Sequence, residues 1–185
     1  MNPPVDTEKF YFEEFGDFFL SVNRLTPFKR VDVQLDAFEE LDETLVLVGG
    51  TEKMGSYEEE ISKRIKRMEN VRWRRDISDR ELAELYSSCK ATIQTPVDED
   101  FGYISVESAA AGKPCLAVNE GGFKETIEHY KTGILIGEPY AENLAGAVEM
   151  FDPSDFDPEF LQRCAQKYSR ENFEEKIRRV AREVA

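Results

Sequence analysis

The sequence predicts a doubly wound α/β domain built on a parallel sheet, Rossmann-like in class. Short apolar runs rich in β-branched and aromatic residues recur along the chain, and each is followed by a longer amphipathic or charged stretch. The runs are apolar at consecutive rather than alternate positions, which is how strands covered on both faces read. Strand and helix in strict succession call for right-handed crossovers and a sheet with helices on either side.

Taken in order, the first ten or so residues, with Pro3-Pro4, read as an extended lead-in. Strands are expected at Phe18–Val22, Leu45–Val48, Val71–Trp73, Ala91–Gln94 and Cys115–Val118, with a sixth at Gly133–Ile136. The intervening helical patterns run Arg30–Leu41, Tyr57–Met68, Asp79–Ser88, Tyr103–Ala111, a short one at Lys124–His129, and Glu142–Phe151. Ser56-Tyr-Glu-Glu59 and Ser78-Asp-Arg-Glu81 both fit the capping box, in which Ser and Glu satisfy the free donors of a helix start. Gly112 followed by Pro114 closes the helix before it. Asp157-Pro158 opens a helix expected to reach about Tyr168. A terminal helix over 169–185 carries Phe173, Ile177, Val180 and Val184 at helical spacing, an apolar stripe that needs something to pack on. With no repeat and no Gly/Ser linker, residues 1–185 read as one domain, 1–12 being its lead-in.

Composition narrows the function. The 185 residues are 41% apolar and 34% charged, with 24 basic against 38 acidic side chains and a net charge of −14. No run approaches the roughly 20 apolar residues of a membrane helix, and so acidic a chain is a poor general partner for nucleic acid or anionic lipid. A small anionic ligand held by a few local cations remains open. Cys89, Cys115 and Cys164 show no CxxC spacing, and the start lacks a signal-peptide core, so reduced thiols in the cytoplasm are the simplest reading. Gly50 to Gly55 has P-loop spacing, but Ser56 stands where the Lys is required, and no GxGxxG follows a strand. His129 is the only histidine and reads as a solvent-facing residue; no cluster has the spacing of a metal site.

Ligands of such sheets bind beyond the carboxyl ends of the strands. There the sequence places Asn23-Arg24 and Lys29, Gly49-Gly50, Thr95-Pro96 with Asp98-Glu99-Asp100-Phe101-Gly102, and Asn119-Glu120-Gly121-Gly122. Arg24 and Lys29 suit a diphosphate, one as a fork and one as a point charge; a solvated surface pair is the competing reading. Gly102 lets backbone N–H groups at a helix start approach an anion, or serves only as a turn. Glu99 in the loop and Glu107 in the following helix could each accept hydrogen bonds from sugar hydroxyls.

These residues resemble a known family. Glu99-Asp-Phe-Gly-Tyr-Ile-Ser-Val-Glu107 is similar to the EX7E region of retaining GT-B glycosyltransferases of family 4. Ser21 to Lys29 resembles that family's "GRL…K" segment, Leu45 to Gly50 its glycine-ended strand, Asn70 to Tyr86 its "NV.F…S..EL..LY" segment, and Gly121-Gly122 with Glu125-Thr-Ile its "GG..E.I". The opening Asn2-Pro-Pro-Val-Asp-Thr-Glu-Lys-Phe10 resembles the link between the two halves of such enzymes.

The resemblance implies the carboxyl-terminal, donor-binding half of a two-domain transferase whose amino-terminal half is missing here. Arg24 and Lys29 would hold the departing diphosphate, and Glu99 would touch the transferred sugar. Backbone groups of Phe101, Gly102, Tyr103, Gly121 and Gly122 would line the donor site, and Glu107 would bind ribose. It implies a nucleotide sugar, with no cofactor and no required metal. The PPVD and EDFG variants resemble surface-polysaccharide mannosyltransferases, hence GDP-mannose as donor and a glycan or lipid-linked acceptor. Such an enzyme would work in the cytoplasm, at the inner face of the membrane through its missing half. Arg30 replaces the usual Gly, Asp100 a common Pro, and Arg74-Arg75 a Gly-containing turn. The chain alone is expected to bind donor without turnover and to self-associate weakly through its last helix; a standalone nucleotide-binding module is the alternative.

Overall fold

A computed structural model describes residues 2–184, with the Val184 side chain outside that description. Six strands form one parallel sheet: β1 (Phe18–Val22), β2 (Thr44–Val48), β3 (Val71–Arg74), β4 (Ala91–Gln94), β5 (Cys115–Val118) and β6 (Gly133–Ile136), in the order β3-β2-β1-β4-β5-β6. Leu20 pairs with Val46 on one side of β1 and with Thr92 on the other. The order reverses between β1 and β4, so the loops leaving these two neighbours part and leave a crevice at their carboxyl ends.

Consecutive apolar positions serve opposite faces. Phe19, Leu45 and Leu47 point into the core with Leu35 and Phe38 of α1 (Val31–Phe38), Ile61 of α2 (Ser56–Ile65) and Leu144 of α6 (Ala141–Glu149). Leu20, Val46 and Val48 point the other way, onto Tyr86 of α3 (Asp79–Ser88). On that side, Val106 and Ala109 of α4 (Tyr103–Ala110) pack on Leu161 of α7 (Pro158–Ala165). The short α5 (Phe123–Thr126) and the long α8 (Arg170–Val184) complete the helices.

Several boundaries differ from the sequence reading, each for a local reason. α1 starts at Val31 because Arg30 is left-handed, at φ 46°, after a 3₁₀ turn over Pro27–Lys29. The capping box forms at Ser78, whose Oγ accepts from the Glu81 N–H at 3.2 Å while the Glu81 carboxylate accepts from the Ser78 N–H at 2.9 Å. It does not form between Ser56 and Glu59, because the helix starts at Ser56 itself with Gly55 in the cap position and no side-chain cap. α4 closes in a Schellman motif, Gly112 being left-handed while the Lys113 N–H reaches the Ser108 carbonyl at 2.8 Å. Asp157 caps α7 as expected. α5 starts at Phe123 and ends at Thr126, since Ile127 is already extended.

The lead-in is docked rather than loose: the Val5 N–H bonds the Tyr168 carbonyl at 2.8 Å, Val5 is buried, and Phe10 meets the Tyr86 ring edge-on at 5.0 Å. Along α8, Phe173 is half-buried, whereas Ile177 and Val180 stay exposed; the stripe residue Val184 has its side chain outside the described region. No helix among the described residues is long and apolar enough to cross a membrane.

Candidate functional site

The crevice between β1 and β4 opens into a cleft of about 360 Å³, walled by Asn23, Arg24 and Lys29 after β1, Gly49 and Gly50 after β2, and Glu99, Gly102 and Tyr103 after β4. Its floor is fixed by backbone. The buried Asn23 receives the strand continuation, its N–H bonding the Val48 carbonyl at 2.9 Å. Gly49, at φ 116°, lies where any Cβ would collide with the Asn23 carbonyl, so only glycine lets the two loops run side by side.

The cations stand on the rim. Arg24 is exposed and makes no ion pair among the described residues. Lys29 ends its 3₁₀ turn with Nζ at 2.6 Å from Glu99 Oε2, both side chains one-fifth exposed. The Thr95 hydroxyl steadies that turn by donating towards the Lys29 and Arg30 carbonyls, each at 3.0 Å. Gln34, fully buried in α1, donates to the same hydroxyl oxygen at 2.8 Å.

Gly102 is the left-handed N-cap of α4, at φ 87°, and no side chain caps that helix. The start of that helix, Gly102 to Ile104, lines the cleft together with Lys29, and the helix dipole adds partial positive charge there. A Cβ on Gly102 would sit 2.9 Å from the Phe123 ring, so glycine is needed for conformation and space alike.

Not every residue singled out by sequence lines the cleft. The Phe101 ring is buried in the core, edge-on to Tyr103 at 5.0 Å and Tyr168 at 5.5 Å, which leaves only its backbone for a ligand. Gly121 and Gly122 stand behind the Glu99 loop. A Cβ on Gly122 would come 2.5 Å from the Phe101 backbone, and the Gly122 N–H donates to the Glu99 carbonyl at 2.5 Å. Their place in the structure is a seat for that loop, not the cleft wall. Glu107 lies one turn along α4 from Tyr103 and accepts from the Tyr86 hydroxyl at 2.7 Å. Burial pushes its carboxyl up, opposed first by the Tyr86 bond and then by the charge of Lys9. His129 is remote: its Nδ1 accepts from the Leu135 N–H at 2.9 Å and holds a loop near β6.

Two neighbours of the cleft stood out in the sequence only as departures from the family pattern, without a partner. Arg75 pairs with the fully buried Glu58 at 2.7 Å, donates to the Thr51 carbonyl at 2.9 Å and covers the Trp73 ring at 5.5 Å, so it lies against Gly50. Arg30 reaches Glu120 at 2.8 Å across the other rim. Both pairings depend on strand order, which no local spacing encodes.

Residues 6–180 match the sequence profile described as "Glycosyl transferases group 1". The chain is 30% identical over 182 residues to the alpha-1,3/1,6-mannosyltransferase ALG2 of Homo sapiens, covering 86% of this chain and 44% of that protein. It is 32% identical over 151 residues to ALG2 of Dictyostelium discoideum, covering 70% and 36%. Among solved structures it superposes on sucrose-phosphate synthase from Thermosynechococcus elongatus with a TM-score of 0.86 at 20% identity, over 98% of this chain and 51% of that one. Anabaena HepE in complex with UDP-glucose gives 0.83 at 20% identity, over 97% and 56%. The chain thus spans less than half the length of these curated relatives and about half that of the structural ones.

Proposed function

Because this chain belongs to the group 1 glycosyl transferases, we propose that it is the donor-binding half of a retaining, family 4 enzyme. It would transfer mannose from GDP-mannose to a glycan or lipid-linked acceptor at the cytoplasmic face of a membrane. The observation that carries the reading is convergence: Arg24, Lys29 and the uncapped start of α4 meet on one cleft, with Glu99 among them. Three sources of positive potential suit a diphosphate whose charge grows as the sugar leaves. Glu99 then accepts hydrogen bonds from the transferred sugar, and Glu107 from ribose hydroxyls. Mannose is favoured by the likeness to mannosyltransferases, and a two-domain enzyme by the share of their length that this chain covers.

Leaving-group stabilisation of this kind needs no metal, since the charge is met by fixed cations and dipoles. The acceptor would be placed by the amino-terminal half, so the chain alone binds donor without turnover; a donor held without its acceptor gains nothing from proximity. Calorimetric titration with GDP, UDP and ADP, then GDP-mannose, with and without magnesium, tests the proposal. Saturable GDP binding, unaltered by magnesium and tighter for GDP-mannose, is the expected result. Absence of binding by every nucleotide, or sugar transfer by this chain alone to a defined acceptor, would overturn it.

A further inference from the structure

Arg30 and Glu120 stand outside the cleft wall, yet each is tied to a residue next to one that forms it. Arg30 follows Lys29 directly, and Asp98 directly precedes Glu99. One carboxylate joins both: Glu120 Oε1 accepts from Arg30 Nη1 at 2.8 Å, and Glu120 Oε2 accepts from the Asp98 N–H at 3.3 Å. Arg30 and Asp98 both have left-handed backbones, at φ 46° and 38°, a region that side chains other than Asn and Asp seldom occupy. The Arg30 side chain makes no capping bond at its own helix start; what it does is reach across to the loop after β5.

We propose that Arg30 and Glu120 are positioning residues that hold the Lys29–Glu99 pair in register for the diphosphate and sugar of a nucleotide sugar. This rests on the nucleotide-sugar reading above. Glu99 is gripped from both ends, through Asp98 by Glu120 and through its own carbonyl by the Gly122 N–H at 2.5 Å. Lys29 is gripped through its carbonyl by Thr95 and through its neighbour by Glu120. The Arg30–Glu120 pair, about one-quarter exposed on each side, thus connects the loops after β1, β4 and β5. Loss of either partner frees Glu99 relative to Lys29 without removing any group that contacts the ligand.

Arg30→Gly is the decisive variant, because glycine accepts φ 46° without strain and the fold is retained while the bond is lost. Binding of GDP and GDP-mannose by calorimetry, amide exchange over residues 96–101 and thermal midpoints are compared for Arg30→Gly, Glu120→Ala and Arg30→Lys. In both loss variants we expect GDP-mannose affinity to fall about five- to tenfold, GDP affinity to fall less, and exchange in the Glu99 loop to quicken. Arg30→Lys keeps the charge and should recover most of the affinity. Unchanged exchange and GDP-mannose affinity in Arg30→Gly would overturn the inference, as would equal losses for GDP and GDP-mannose that track the thermal midpoint. If the unaltered chain binds no nucleotide at all, the donor-site reading fails, and the exchange measurement alone decides whether Glu120 orders the Glu99 loop.

Discussion

Lys29 and Glu99, 70 residues apart in the chain, meet as an ion pair of 2.6 Å at the centre of the cleft rim. The cation suited to a diphosphate is thus held by the carboxylate suited to a sugar. On the donor site proposed above, a nucleotide would compete with Glu99 for the ammonium, and Glu99 would repel the incoming anion as well.

Opposite effects of the two residues on a ligand lacking the sugar follow from this contact. Glu99→Gln releases Lys29 and should tighten GDP about threefold, whereas Lys29→Ala should weaken it about tenfold or more. The same Glu99→Gln change should weaken GDP-mannose relative to GDP. Calorimetry with both ligands checks this; weaker GDP binding in Glu99→Gln would contradict the competition.

The sheet was legible because strands buried on both faces write themselves as continuous apolar runs, and all six lie within a residue or so of where the runs stand. Tertiary contacts hid the rest. Ser56 and Ser78 carry the same capping pattern, but the helix at Ser56 begins one residue early, with Gly55 at the cap position, and the neighbouring Glu58 is drawn inward to Arg75. Gly121 and Gly122 read as ligand contacts because they follow a strand, though the space they vacate is filled by the Glu99 loop. Lys29–Glu99 and Arg30–Glu120 could be named as residues but not as pairs, since only the placement of β1 beside β4, and β4 beside β5, brings them together.

The seat of the Glu99 loop can be tested at glycine, because Gly122→Ala puts a methyl 2.5 Å from Phe101 backbone atoms that cannot swing aside. Overpacking of this kind costs about 1–3 kcal/mol. The thermal midpoint should fall, and the preference for GDP-mannose over GDP should fall with it as Glu99 shifts. Gly146, inside α6, has nothing within 4 Å of the point where a Cβ would stand, and serves as the control. Gly146→Ala should stabilise by about 1 kcal/mol. Thermal melts of both variants, with GDP and GDP-mannose titrations of Gly122→Ala, check the pair; an unchanged midpoint in Gly122→Ala would show that the loop has room to retreat.

Glu107 sets stability against binding. A carboxyl whose pKa is higher folded than unfolded takes up a proton on folding. Its contribution is therefore complete below the ordinary carboxylate value of 4.5 and is lost as pH rises through the folded value. Glu107→Gln keeps an acceptor for the Tyr86 hydroxyl and removes the buried charge. Its thermal midpoint should exceed that of the unaltered chain at pH 7 and converge with it below about pH 4.5. On the ribose-binding role proposed for Glu107, nucleotide affinity should fall about tenfold. Thermal melts across this range, with GDP titrations at pH 7, check both; equal midpoints at every pH would contradict the buried-charge account.

Lys113 works in the opposite sense. It is fully buried after the Schellman turn, its ammonium lies 4.4 Å from the Phe12 ring and 4.5 Å from the Phe15 ring, and it donates to the Glu14 carbonyl. It thereby fastens residues 12–15 to the end of α4. Burial brings its pKa down to about 8 from 10.5, against the pull of Cys89, Glu14 and Glu13. Between these values the unfolded chain holds the proton more often than the folded one, so this group's contribution to stability rises with pH from about 8 to 10.5 and is lost as pH falls through 8. Lys113→Met keeps the stem between the rings and cannot titrate. Cys89 and Cys115, both raised to about 12 by burial, are present in both proteins and largely cancel in the comparison. The stability of the unaltered chain should therefore gain on that of Lys113→Met across this interval, as measured by denaturant unfolding at pH 7.5, 9 and 10.5. Parallel pH profiles would show that Lys113 keeps its ordinary pKa in the fold.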